Sequence, residues 1–207
     1  GAEMFESDNQ LMLNEYLAGV YDAARFEAEA KLWKNYKTDY KPLVEFAREK
    51  KLPFVATNIP RRYASVVNKS GFEGLENLDP EAKKLIAPLP VPYDPELKCY
   101  KDMMTMGGGM QAHVSPNFPK AQAIKDATMA YFINSNWDKG KTFIHYNGSY
   151  HSRNYQGILW YLARYNNGMK FATIEVVLQN DPGKVEDVNL GIADFIITVP
   201  SSMTRTY

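Results

Sequence analysis

The sequence predicts an α/β fold with a mostly parallel central sheet and helices on both of its faces. Three observations carry that reading. Helical spacing of apolar residues over 40–51 gives way to a continuous apolar run at 54–59 and then to a polar turn at 60–63, the helix, strand and loop alternation of a parallel sheet. A second run, 142–146, breaks at Asn147-Gly148 ahead of another helical stretch. Both runs are too apolar for a strand with one wet face, so each is expected to be covered on both sides. Finally, 207 residues with 45% apolar and 23% charged side chains are enough to bury one real core.

The elements follow in order. Residues 2–5 read as a buried strand with Glu3 inside it, and Ser7 or Asp8 is placed to cap a helix over 9–18. Asp22 caps a second helix, 23–32, and an aromatic linker, 33–40, leads to a third, 40–51, with Pro42 in its first turn. After the strand at 54–59 the rhythm is interrupted. Short helical pieces at 64–68 and 72–78, a helix opened by Asp79-Pro80, a Pro-rich connector over 87–95 and a helix over 95–106 make a helical insertion spanning about 64–118, placed to close over the strand ends as a lid. The triple glycine 107–109 lacks the Lys-Ser/Thr of a phosphate loop. The longest helix, 118–137, precedes the strand at 142–146. A helix at 155–164, a strand at 170–179, a turn at 180–183 and a strand at 194–200 complete a single domain with a sheet of about four strands.

Composition excludes several classes. Net charge is zero and there is no long basic run, so no nucleic-acid partner is expected. The single cysteine, Cys99, rules out an internal disulfide and a Cys-based zinc site. No apolar run approaches the roughly 18 residues of a spanning helix, and no signal peptide is visible. The opening residues, Gly1-Ala2-Glu3-Met4-Phe5-Glu6, enter a strand pattern at once without an initiator Met, so the natural precursor is expected to extend upstream.

Across the chain, in order, stand Glu3-Met4-Phe5-Glu6 with Asp8-Asn9-Gln10; Leu32-Trp33 with Tyr36 and Asp39-Tyr40; Asn58-Ile59-Pro60-Arg61-Arg62-Tyr63; Leu89-Pro90 with Tyr93-Asp94; His113; Ala121-Gln122 with Asp126-Ala127-Thr128-Met129-Ala130; and His145-Tyr146-Asn147-Gly148-Ser149-Tyr150-His151. Together these motifs resemble the ChaN-like haem-binding lipoproteins, relatives of the Tiki proteases and erythromycin-esterase-like enzymes. The resemblance implies a haem-binding protein of haem and iron uptake, with the porphyrin in a cleft at the strand ends under the insertion. It also implies cofacial haems shared by a homodimer, and an outer-membrane lipoprotein of the bacterial cell envelope whose lipid-bearing cysteine lies upstream, since Cys99 cannot be it. Of the superfamily's two Gly-x-x-His motifs the chain carries only the second, Gly148 to His151. The first, Gly-Glu-x-His, with its strand and helix, would precede Gly1.

Candidate site residues follow. His151 sits just past a strand end, as a ligand or acid/base or as a loop histidine bonded to backbone; Asn147 shares its wall of the cleft. His145, inside the strand, faces either the core or the cleft; a buried neutral histidine bonded to a neighbour that orients the site is the favoured reading. Arg61, Arg62 and Tyr63 lie past another strand end. They read as guanidinium partners for haem propionates and an axial phenolate, or as helix N-terminal packing with solvated arginines. Tyr93 and Tyr100 are alternative axial ligands, and the residues do not choose among the three tyrosines. His113, preceded by Met103, Met104, Met106 and Met110, is either on a haem-facing segment or beside an ordinary apolar helix face. Glu3 and His151, with Asp126 and Gln122, suit a zinc, iron or manganese site, although no His-Glu-x-x-His is present. Ser149 and Ser152 do not form a nucleophile elbow. Two other functions remain open: a metal-dependent hydrolase using Glu3 and His151, and an accessory lipoprotein subunit of an outer-membrane transporter complex, with the aromatic stretch 33–40 as its interface.

Overall fold

The structure, a computed structural model, describes residues 1–105 and 115–206. Strand β1, Ala2–Glu6, pairs in parallel with β2, Ala56–Asn58. Between them the chain folds α1 (Gln10–Leu17), α2 (Ala23–Glu29) and α3 (Lys41–Glu49). Asp22 caps α2 as expected, accepting from Arg25 N at 2.9 Å, and Pro42 occupies the first turn of α3. Neither Ser7 nor Asp8 caps α1. Ser7–Asn9 is instead a short 3-10 turn, in which Ser7 Oγ donates to the Leu85 carbonyl at 2.7 Å while Asp8 is drawn into ion pairs with Lys31 and Arg62. The aromatic linker ends in a π-helical turn, Tyr36–Tyr40, with Tyr36 buried.

These elements wrap one apolar cluster around β1. Met4, Phe5, Leu13 and Tyr16 are fully buried in it. Tyr16 stacks on Phe26 with centroids 4.5 Å apart, and Phe5 meets Phe54 edge-on at 5.5 Å.

The chain then forms α4 (Arg61–Ser70), a 3-10 turn at Phe72–Leu75, α5 (Pro80–Lys83), capped by Asp79 as the sequence predicts, and α6 (Lys98–Thr105). All of this flanks the central helix α7, Phe118–Asn136, against which α4, α6, α8 (Ile158–Tyr165) and β2 pack. Alanines at 121, 123, 127 and 130 are buried and let those neighbours approach closely, so α7 is enclosed on nearly every side. Thr128 Oγ1 accepts from Ala87 N at 3.1 Å and pins the Pro-rich connector to it.

Parallel pairing holds, but among the described residues the strands form two small sheets rather than one of four. The strand expected at 142–146 pairs with β1 at one parallel bridge, Tyr146 to Ala2. Ile144 is 61% exposed, and among the described residues no second ladder extends this segment. β3 (Ile174–Gln179) and β4 (Phe195–Pro200) pair with each other in parallel, locked at their start by Thr173 and Asp194, whose side chains each bond the other's backbone N–H at 2.7 and 3.0 Å.

Candidate functional site

The site grows from Glu3, a largely enclosed carboxylate on β1. Glu3 Oε2 accepts from Gly148 N at 2.8 Å, and Glu3 Oε1 lies 3.3 Å from His151 Nε2. His151 occupies a 3-10 turn, Ser149–His151, and its Nδ1 lies 2.5 Å from Asp126 Oδ1. Asp126, enclosed within α7, receives at Oδ2 the hydroxyl of Tyr100 at 2.7 Å. The result is a buried chain, Tyr100–Asp126–His151–Glu3–Gly148, joining α6, α7, the turn and β1.

Its charges follow from its contacts. Burial works against a proton on His151, but the carboxylates on both sides outweigh it and push the imidazole up to about 10. Burial alone would raise Glu3; the hydrogen bond and charge of His151, with the Gly148 N–H, instead hold it at about 2. At neutral pH the turn therefore carries an imidazolium clamped between acids, with both ring nitrogens engaged.

His145 behaves oppositely. Burial pushes it down to about 3, and its ring bridges Thr57 Oγ1 at 2.7 Å and Asn147 Oδ1 at 2.9 Å. Asn147 passes the support onward by donating to the Gly148 carbonyl and to Ser152 Oγ, each at 3.0 Å. His145 is thus the neutral orienting histidine that the sequence predicts, and Asn147 is a brace behind the turn.

Past the turn the backbone is strained. Asn154 and Tyr155 both have φ of 58°, a conformation that bulky residues rarely adopt. Asn154 N donates to the Ile192 carbonyl at 2.9 Å and Tyr155 OH to Asp194 Oδ1 at 3.1 Å, which ties the turn to the β3–β4 unit.

Beside this chain of bonds opens a cleft of about 400 Å³, lined by Glu3, Met103, Phe118, Gln122, Gly148, Tyr150 and His151. Its size suits a small-molecule site. Of the residues named from the sequence it gathers Glu3, Met103, Gln122 and His151, with Asn147 behind them. Tyr100 belongs to the same network but is fully buried, with its hydroxyl given to Asp126. Tyr93 is half-buried between Phe72 and Tyr100 and does not line the cleft.

The arginine motif splits. Arg62 pairs with Asp8, donates to Tyr63 OH at 3.3 Å and stacks on the Tyr63 ring at 4.4 Å. Neither Arg62 nor Tyr63 lines the cleft. Arg61, the first residue of α4, is exposed. His113, the triple glycine, Met106 and Met110 lie outside the described residues. No group of three or more His, Cys, Asp or Glu among the described residues could hold a metal ion, and neither nitrogen of His151 is open to one.

Sequence reasoning missed Tyr150 and Phe118. Tyr150 stands inside the Gly-x-x-His motif, beside the residue that took the attention.

The family described as haem-binding uptake, Tiki superfamily, ChaN matches residues 1–162. Among solved structures, that of cofacial haem binding to ChaN of Campylobacter jejuni superposes with a TM-score of 0.61 at 16% identity, covering 94% of this chain and 71% of that one. At that identity the likeness speaks for the fold alone. No curated protein matches the chain.

Proposed function

The chain belongs to the ChaN haem-binding uptake family of the Tiki superfamily, and from that premise we propose that it binds haem in the cleft formed by Glu3, Met103, Phe118, Tyr150 and His151. The observation that carries this reading is the pairing, in one cleft, of the apolar walls Met103 and Phe118 with the phenol of Tyr150, which is 52% exposed. A porphyrin needs apolar walls and an axial donor, and tyrosine is a known haem ligand. These residues fit the group: Met103 and Phe118 would face the macrocycle, and Tyr150 would supply the axial oxygen. Bound there, haem would bring an iron centre for transfer or storage. His151 would serve as a fixed positive wall rather than a ligand, because Glu3 and Asp126 hold both of its nitrogens.

Hemin titration tests the reading. The native protein is expected to give a saturable Soret band. Tyr150→Phe is expected to shift that band and weaken binding at least about tenfold, the scale of a lost axial or charge-assisted contact. A linear, unsaturable titration with folded protein would falsify haem binding. Within the same proposal the protein serves haem uptake at the bacterial outer membrane as a lipoprotein, forms a homodimer around haem, and meets an outer-membrane transporter. Light scattering with and without hemin checks the dimer: doubled mass supports it, and an unchanged monomer mass removes it.

A further inference from the structure

A second cavity, of about 390 Å³, opens beside the segment 53–56 that leads into β2, between α1 and the last turns of α7. Its other walls are Ser7, Gln10, Asn14, Phe132 and Asn136. It shares no lining residue with the Glu3–His151 cleft. Between Gln122 in that cleft and Phe132 here, α7 rises about 15 Å. Its volume falls within the range of small-molecule sites.

None of its lining side chains carries a charge. Their hydrogen bonds decide which polar atoms remain for a ligand. Gln10 is spent on the fold: Oε1 accepts from Ala56 N at 2.6 Å, and Nε2 donates to the Phe54 carbonyl at 3.0 Å and to Asn14 Oδ1 at 2.8 Å. By holding Asn14 Oδ1, Gln10 leaves Asn14 Nδ2 as a donor with no protein partner among the described residues. Asn136 Nδ2 donates to the Phe132 carbonyl at 2.8 Å, which leaves Asn136 Oδ1 as an acceptor. Ser7, only 5% exposed, gives its hydroxyl proton to the Leu85 carbonyl, so its Oγ offers the cavity lone pairs alone. The cavity therefore presents one donor and two acceptors, held in place by bonds to the backbone and to Gln10, beside the apolar rings of Pro53, Phe54 and Phe132.

An ion has no counter-charge among these walls, and withdrawing it from water unpaired is costly. A hydroxyl both donates and accepts, so a ring carrying several hydroxyls satisfies both senses at once. Its C–H faces suit the apolar rings. A lone amide group also matches the donor and acceptors but leaves most of the volume empty. We propose that the Ser7–Asn14–Asn136 cavity binds a neutral polyhydroxylated ring, a pyranose unit of a saccharide. The site needs neither haem nor the Glu3–His151 cleft.

Titration with methyl α-glucopyranoside, methyl α-galactopyranoside and methyl α-mannopyranoside tests it, read from the side-chain amide resonances of Asn14 and Asn136. At least one glycoside is expected to shift both amides saturably, while cyclohexanol, a ring with a single hydroxyl, shifts neither. Asn14→Leu and Asn136→Leu are each expected to weaken glycoside binding about fivefold, the worth of one neutral hydrogen bond; saturation transfer to the sugar protons gives the affinity where an amide has been removed. Both positions are exposed and Gln10 keeps its two backbone bonds in either variant, so folding is retained. Tyr150→Phe is expected to leave glycoside binding unchanged. No shift with any of the three glycosides overturns the site, as does affinity unaltered in both Leu variants. Acetamide shifting the two amides at lower concentration than any glycoside overturns the saccharide assignment. Loss of glycoside binding in Tyr150→Phe would place the sugar in the other cleft and overturn the proposal there.

Discussion

Gly157, not the glycine of the Gly-x-x-His motif, is the residue on which the site's geometry turns. Gly148 has φ of −68°, and a Cβ there would sit 3.5 Å from Glu3 Oε2, an ordinary contact. Gly157 has φ of 56°, and a Cβ there would lie 2.5 Å from the His151 carbonyl oxygen and 3.2 Å from Asp126 Oδ2. Gly157→Ala is therefore expected to cost about 2 kcal/mol or more through backbone strain and overlap, and to disturb the His151–Asp126 pair. Gly148→Ala should be nearly neutral. Urea denaturation with imidazole NMR compares the two, and equal effects would contradict this assignment. The motif was legible because a short spacing brought its residues to one turn. Gly157 was not, because its constraint comes from the path of the backbone, a positive φ that brings it against the His151 carbonyl and the Asp126 carboxylate of α7. Tyr150 and Phe118 escaped for a related reason: nothing in their local sequence distinguishes a cleft wall from an ordinary surface or core aromatic.

Among elements, α7 is the one that both fills the core and carries the site. Its limits, read as 118–137, agree with Phe118–Asn136 to one residue, because its alanine-rich apolar spacing is long and unbroken. Ile124, fully buried two residues before Asp126, belongs to the core that holds the helix in place. Ile124→Ala is expected to lower stability by about 2–5 kcal/mol. The Tyr100–Asp126 and His151–Asp126 bonds should loosen with it, measured as a lower urea midpoint together with a changed His151 resonance. The strands were less legible. The run at 142–146 has the composition of a covered strand, yet composition cannot say whether a neighbour is present on each side, and only Tyr146 is bridged. β3 turns Ile174, Val176 and Leu178 outward and Glu175, Val177 and Gln179 inward, an alternation that a reader of apolar runs assigns to the opposite face. Inward Gln179 is explained by the connection that follows, where its Nε2 donates to the carbonyls of Asp181 and Lys184.

For the whole molecule, the two histidines of the site give stability an opposed dependence on pH. His151 holds its proton more tightly folded than unfolded. Its stabilisation is therefore complete below its ordinary 6.5 and is lost as pH climbs through about 10. His145, held neutral, contributes fully above 6.5 and is drained as pH falls towards about 3; Glu3 adds to the same acid limb, contributing fully above its ordinary 4.5 and losing its share as pH falls through about 2. Chemical denaturation across pH should show stability declining on both sides. His151→Gln should flatten the alkaline limb and His145→Asn the acid one. An alkaline limb unchanged in His151→Gln would mean that the clamp between Glu3 and Asp126 does not form in solution. The α/β class and the order of elements were open to sequence reading because they rest on local periodicity. This balance of charges was not, because it depends on three side chains 25 to 148 residues apart meeting in one turn.

The tyrosines have an optical consequence. The chain has 14 of them, and the fold treats them unequally: burial and Glu45 push Tyr16 up to about 12, while burial and the Asp126 carboxylate hold the Tyr100 phenol protonated far beyond its ordinary range. Phenolate absorbs at longer wavelength than phenol. Raising the pH should therefore increase the near-ultraviolet absorbance in two waves, the second only when the chain opens and frees the enclosed rings. The second wave makes the protein its own indicator of unfolding, with no added dye.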